Sequence, residues 1–210
     1  MNDKVLFADV PKSLLGTCFG MLAYNDPGHQ LPHIRDVARN GIRVADYYYL
    51  DPMPFKLAAV CHDIYSSANR TEHHTLAGEW VRNNFKHYRG LEKYADLVAR
   101  MCEQHRSSYK GKYAGLFEEG FAAADRGVPT VENSIVRSFQ HHSATSTDAL
   151  EVRIKASIAH LQEKFGPGGY NRENKVHVDV FGDALERFKG TVMDLTVEQY
   201  IYVLKKHNLV

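Results

Sequence analysis

Pro54-Phe55-Lys56-Leu57-Ala58-Ala59-Val60-Cys61-His62-Asp63-Ile64 is a short, very apolar stretch that ends on a histidine–aspartate pair. Pro54 suits a helix start, and Phe55, Ala58, Ala59 and Ile64 recur at helical spacing. His62 and Asp63 fall at i+4 and i+7 positions from Phe55, Ala58 and Ala59, on the face that packing should bury. Upstream, Asp26-Pro27-Gly28 reads as a turn and Pro32 opens a helix through Val37, Gly41, Val44 and Tyr48, ended by Asp51-Pro52. The apolar segment around 14–24 reads as a first amphipathic helix. Downstream, helices are expected over about His73–Asn84 and Leu91–His105, then through Phe117, Phe121 and Ala124, and through Val131, Ile135, Val136 and Phe139. Leu150, Ile154, Ile158, Leu161 and Phe165 form a further amphipathic helix stopped by Gly166-Pro167-Gly168-Gly169. Two last helices are expected, around Asp183–Lys189 and from a capping box at Thr196 with Gln199. No alternating strand pattern of useful length occurs. The fold class is all-α, as one globular unit: 1–30 as a helix and loop on the core, 31–142 as the core, and 143–210 as a helical extension.

The chain has 210 residues, 44% hydrophobic and 24% charged, the balance of a globular protein with a real core. Lys plus Arg total 26 against 25 Asp plus Glu, which argues against a dedicated nucleic-acid surface and a polybasic membrane patch. No apolar run approaches the roughly 18 residues that span a bilayer. Asp3 and Asp9 before the 14–24 segment, with no cleavage pattern after it, argue against a signal peptide. Cys18, Cys61 and Cys102 are too few and scattered for a disulfide framework and fit a reducing, cytoplasmic compartment. The Asn69-Arg70-Thr71 sequon is then accidental. The unusual feature is 12 histidines.

Six polar residues lie on core-facing stripes. They are His33 with Val37 and Gly41, His62 and Asp63, His74 with Ala77, Gly78 and Val81, His105 with Val98, Met101 and Cys102, and Asp125 with Phe117 and Phe121. Burying unpaired Asp and His costs several kcal/mol per group, and a metal ion compensates by taking carboxylate oxygens and neutral imidazoles together. One such histidine is ordinarily a satisfied core residue; six ligand-type residues in one set point to a metal.

The order His…His-Asp…His…His…Asp resembles the HD-domain superfamily of metal-dependent phosphohydrolases. The matching segments are His33-Ile34-Arg35-Asp36-Val37, Cys61-His62-Asp63-Ile64, His73-His74-Thr75-Leu76-Ala77-Gly78, Gln104-His105-Arg106 and Ala122-Ala123-Ala124-Asp125-Arg126, covering about residues 30–127. The resemblance implies an HD-domain helical bundle with added N- and C-terminal helices. It implies that His33, His62, Asp63 and Asp125 bind one divalent metal, with Asp63 bridging to a second held by His74 and His105. His74 is preferred to His73 because the family ligand stands four residues before the glycine, here Gly78. Asp63, His74 and His105 become the expected catalytic residues.

Two divalent ions against Asp63 and Asp125 would leave about two positive charges, favouring a phosphate-bearing ligand and an acidified water. Without cysteine ligands, iron or manganese is favoured. Arg70, Arg106, Lys110, Lys112 and Arg126 are candidate phosphate-binding residues, and Glu72 either orients a ligand or caps a helix. Ser66 stands where the cyclic-di-GMP phosphodiesterase branch carries lysine, and 107–113 lacks that branch's Gly-Tyr-Pro signature. The size and ligand order look more like bacterial diadenosine tetraphosphate hydrolases or nucleotide phosphohydrolases generally. The expected partner is a phosphorylated small molecule, in the first place a nucleotide.

His141-His142 reads as a solvated helix end, and His87, His160, His177 and His207 as surface residues. Tyr47-Tyr48-Tyr49 reads as packing at a helix end, and no Walker A motif is present. Two other functions remain open: a mixed-valent diiron oxygenase on the same ligand pattern, and a non-catalytic nucleotide-sensing or protein-binding module.

Overall fold

Amphipathic periodicity without strand-type alternation leaves helix packing as the way to bury apolar surface. A computed structural model, which describes residues 3–26, 29–169 and 173–210, is helical throughout, with no strand among the described residues. The expected turn at Pro27-Gly28 lies outside the described residues. The helices are α1 Asp3–Leu6, α2 Lys12–Leu22, α3 Leu31–Tyr48, α4 Met53–Cys61, α5 His73–Asn84, α6 Ala95–Gln104, α7 Leu116–Arg126, α8 Val131–Thr145, α9 Leu150–Phe165, α10 Lys175–Met193 and α11 Val197–Lys206. No helix among the described residues is long and apolar enough to cross a membrane.

The chain forms two compact units instead of the single one expected. The first runs to Gly127 and takes back Asn174–Val180; the second holds Val128–Glu173 and Phe181–Val210. The break therefore falls at 127/128, not after residue 142. The cause is α8, whose Ile135 and Phe139 join a core with Ile154, Ile158 and Leu161 of α9 and with Tyr200 and Leu204 of α11. Tyr200, fully buried there, donates from its hydroxyl to the Ile135 carbonyl at 3.2 Å. α11 starts with the expected capping box of Thr196 and Gln199.

In the first unit α3 packs on α4 and α7, and α6 packs on α4, α5 and α7. Close approach is written into two glycines. A Cβ on Gly41 would lie 2.7 Å from Phe55 Cβ, and one on Gly120 would lie 2.9 Å from Val44 Cγ1. α7 stops at Gly127, whose φ of +52° suits glycine, while Asn40 Nδ2 holds the Ala124 carbonyl at 3.0 Å. That fixes the end of α7, where Asp125 sits.

α10 is much longer than the expected 183–189. Polar residues near its start find partners: Tyr48 donates to Asp179 at 2.6 Å, and His177 Nε2 donates to the Gly127 carbonyl at 2.6 Å. His177 is 1% exposed, a correction to its reading as a surface residue.

Candidate metal centre

The polar residues of the first unit converge because each stands at a helix end. Pro32 occupies the first turn of α3, so His33 lies just inside it. His62 is the C-cap of α4 and His105 the C-cap of α6; His73 is the first residue of α5, and Asp125 lies in the last turn of α7. Helix ends leave backbone carbonyls without intrahelical partners. His62 Nδ1 sits 3.0 Å from the Ala59 carbonyl and His105 Nδ1 2.5 Å from that of Cys102. His73 Nδ1 makes the same bond, 2.9 Å to the Arg70 carbonyl. A carbonyl oxygen only accepts, so each Nδ1 carries the proton and each Nε2 is directed to the cluster. Such outer bonds fix tautomer and orientation in metal-binding histidines.

Around the first position, His33 Nε2 and His62 Nε2 are 3.3 Å apart. Asp63 Oδ2 lies 3.2 Å from His62 Nε2 and 3.7 Å from His33 Nε2. Asp125 Oδ1 lies 3.1 Å from His33 Nε2 and 3.5 Å from His62 Nε2. Ligands about 2.1 Å from one first-row ion are spaced by roughly 3.0–3.5 Å in octahedral or tetrahedral arrangements, so this set fits a metal. Asp63 turns its other oxygen the opposite way: Oδ1 is 3.3 Å from His73 Nε2, and Asp63, His73 and His105 bring one ligand atom each within 4.8 Å of one another. One carboxylate is thus shared between two groups of ligand atoms.

This corrects the sequence reading at one residue. His73, not His74, joins Asp63 and His105. The periodicity reads His74 with Ala77, Gly78 and Val81 and leaves His73 on the Leu76/Trp80 side, yet in the structure His73 is buried with that stripe and His74 only partly so. As the first residue of α5, His73 leans back beyond the helix start onto the Arg70 carbonyl, beside the turn that carries Asp63. His74 lies alongside, its ring centroid 5.7 Å from that of His73. Its Nδ1 is sheltered without a hydrogen-bond partner, and burial and then Arg106 hold its pKa below the ordinary value.

The electrostatics suit a cation. Burial opposes ionisation of Asp63 and Asp125, yet the neighbouring histidines hold both carboxyls well below their usual range. Burial also works against a charged His62, but Asp63 and Asp125 outweigh it and raise the imidazole well above its ordinary value. His105 is pushed down to about 4, by burial first, with Asp125 opposing. It therefore stays neutral at neutral pH and keeps its Nε2 lone pair.

The candidate phosphate-binding residues separate. Arg70 is exposed but tied to Ser66 Oγ at 2.8 Å, and its Nη1 lies 3.2 Å from His29 Nδ1. Arg106 donates to the Thr71 carbonyl at 2.6 Å, and Arg126 Nη2 to the Tyr113 hydroxyl at 3.2 Å. Lys110 and Lys112 are exposed on the 105–115 loop. Glu72 stands at the N-cap of α5 without a side-chain capping bond. The His29 ring centroid is 5.8 Å from that of His33, and its Nδ1 is 2.8 Å from Asp26.

Two contributors escaped the sequence. Buried Asn25 donates from Nδ2 to the Asp63 carbonyl at 2.9 Å and to the His29 carbonyl at 3.1 Å, and accepts from the Ser67 N–H at 2.9 Å. It holds the turn that aims Asp63. Buried Glu118 accepts from Arg100 at 2.8 Å and ties α7 to α6. A lone Asn before a turn and a Glu in a helix carry no pattern that would have marked them. Comparison with protein-family models, with curated proteins and with solved structures returns no match for this chain.

Proposed function

We propose that the first unit is a metal-dependent phosphohydrolase, acting on a phosphate ester or anhydride of a nucleotide or related small molecule. The observation that carries the reading is the divided carboxylate of Asp63, one oxygen toward His33 and His62 and the other toward His73. That donor set suits two first-row divalent ions, iron or manganese before a thiolate-type zinc site. The ligand order that resembles the HD superfamily supports it, with His73 in the place expected for His74.

His33, His62, Asp63 and Asp125 would hold one ion, and Asp63, His73 and His105 the other. When bound, the pair supplies Lewis-acid polarisation of a phosphoryl oxygen and lowers the pKa of an attacking water. The chain supplies the rest. The Ala59, Arg70 and Cys102 carbonyls keep three imidazoles in the tautomer that presents Nε2. Asn25 fixes the backbone of Asp63. Arg70, Arg106 and Arg126 stand on segments flanking the ligands and suit charge-assisted bonds to a phosphate. Three buried free thiols fit a reducing, cytoplasmic setting.

The test is a panel of nucleotides and phosphoesters offered to the protein reconstituted with iron or manganese, beside Asp63→Ala. The expected result is phosphate release by the wild type, with metal content and activity both lost in the variant. Full activity in Asp63→Ala, or a metallated wild type inert across the panel, would overturn the reading.

A further inference from the structure

The second unit carries a basic face that the metal centre does not use. α8 and α9 pack side by side, with Ser138 Oγ donating to the Ser157 carbonyl at 3.3 Å and Arg153 Nη1 to Ser143 Oγ at 3.0 Å. Arg137 and His141 are one turn apart on α8, while Arg153, His160 and Lys164 recur at i, i+7 and i+11 on α9. In the middle, the rings of His141, His142 and His160 have centroids 5.6 to 6.4 Å apart.

Two of these cations, Arg153 and Lys164, are half-buried with no carboxylate paired to them among the described residues. Arg153 lies over the Phe139 ring at 5.5 Å and otherwise meets the Ser143 hydroxyl; Lys164 lies 5.1 Å from the Phe165 ring centroid. Arg153 Nε and His142 Nε2 are sheltered from solvent with no hydrogen-bond partner. A half-buried cation against aromatic rings and a hydroxyl is unbalanced charge, and sheltered nitrogens without partners are costly. Burial lowers the pKa of Lys164, with Arg137 adding to it, and burial followed by His142 and Lys164 lowers that of His160.

Three imidazoles in contact would also suit a transition metal. A divalent cation there would face Arg137, Arg153 and Lys164, whereas an anion gains from all three. The eleven residues from Arg153 to Lys164 advance about 16 Å along α9, too far for a single phosphate to bridge. We propose that this face of α8 and α9 binds a linear oligophosphate chain, with Arg153 and Lys164 gripping its two ends and the histidines lining its middle. The assignment is independent of the metal centre, because every residue in it belongs to the second unit.

The experiment titrates inorganic tripolyphosphate into the chelator-treated 210-residue protein at about 0.15 M salt, followed by calorimetry. The panel is wild type, Lys164→Gln, Arg153→Gln, the double variant, and Lys155→Gln as a control on the same helix, where Lys155 pairs with Glu151. One saturable site is expected, weakened about tenfold or more in the double variant and unchanged in the control. Lys164→Gln alone is expected to lose affinity with no change in thermal midpoint, which covers the case in which Arg153→Gln disturbs folding. Absence of saturable binding, equal affinity in the double variant and the control, or binding of zinc or nickel in place of tripolyphosphate would each overturn the proposal.

Discussion

His73→Ala should empty the second metal position while leaving the first loaded, and His74→Ala should leave both loaded. The magnitude follows from the geometry. His73 Nε2 faces Asp63 Oδ1 at 3.3 Å, and its Nδ1 is bonded to the Arg70 carbonyl at 2.9 Å, so the ring is oriented before an ion arrives. Loss of an outer partner that merely orients a ligand weakens metal binding by about 10–100-fold. Loss of the ligand itself should therefore cost about 100-fold or more, equivalent to about 2.8 kcal/mol. His74 faces no carboxylate of the cluster, and its removal should change affinity by less than about threefold, well under 1 kcal/mol. The assay is metal stoichiometry after gel filtration, together with chelator competition to obtain Kd for each variant. The reasoning is refuted if His74→Ala loses an ion and His73→Ala keeps both, since that would return the ligand role to the residue that the glycine spacing favours.

Three further outcomes are expected. Asn25→Ala leaves the Asp63 carbonyl and the Ser67 N–H without their partner and should cost about 2–3 kcal/mol. A melting curve should then show a drop of about 5–10 °C in the first unit's transition, and an unchanged midpoint would contradict the role given to Asn25. Gly120→Ala drives a Cβ to 2.9 Å from Val44 Cγ1 and 3.3 Å from the Phe55 ring, so it should destabilise by about 1–3 kcal/mol. It should also weaken metal binding, because it parts the helices that carry His33 and Asp125. Metal loading at neutral pH should release protons, because His62 in the metal-free protein is held protonated well above its ordinary value of 6.5. The sign follows for the metal-free chain. The stabilisation from His62 is complete below 6.5 and lost as pH rises through its raised value; that from Asp63 and Asp125 is present above 3.8 and lost as pH falls through their depressed values. Calorimetry in buffers of different ionisation enthalpy measures the proton count, and a count of zero would contradict the argument.

What the sequence made legible was set by where local spacing decides the structure. The α5 bounds, His73–Asn84, coincide with the expected helix, and the Thr196–Gln199 capping box opens α11 as its spacing required. Five of the six expected ligands meet in one cluster because stripe position and burial go together in mid-chain helices. The sixth failed at a helix start, where two adjacent histidines both come close to one stripe and the course of the preceding turn brings His73 into it. α10 was underestimated for the opposite reason. The expected helix stopped short at Asp183 and His177 read as surface, but Gly127 and Tyr48, distant in sequence, provide partners for His177 and Asp179. Asn25 was invisible because its work is hydrogen bonding to the backbone 38 residues away.

The positions of the ligands explain why fold and site are one problem in the first unit. The ligands lie at or beside helix ends, and His62 and His105 close C-termini, where backbone carbonyls lack intrahelical partners. His62, His73 and His105 each bond a backbone carbonyl with Nδ1, which commits Nε2 to the interior. The same arrangement places two carboxylates, Asp63 and Asp125, among imidazoles whose Nε2 atoms face the cluster. Asp63 and Asp125 raise the His62 imidazole well above its ordinary value, and the proton it then carries sits on Nε2, the nitrogen a metal would take. Proton and metal are therefore alternative occupants of one charge deficit. On the proposed reading, metal binding would displace that proton and take over its part in balancing Asp63 and Asp125.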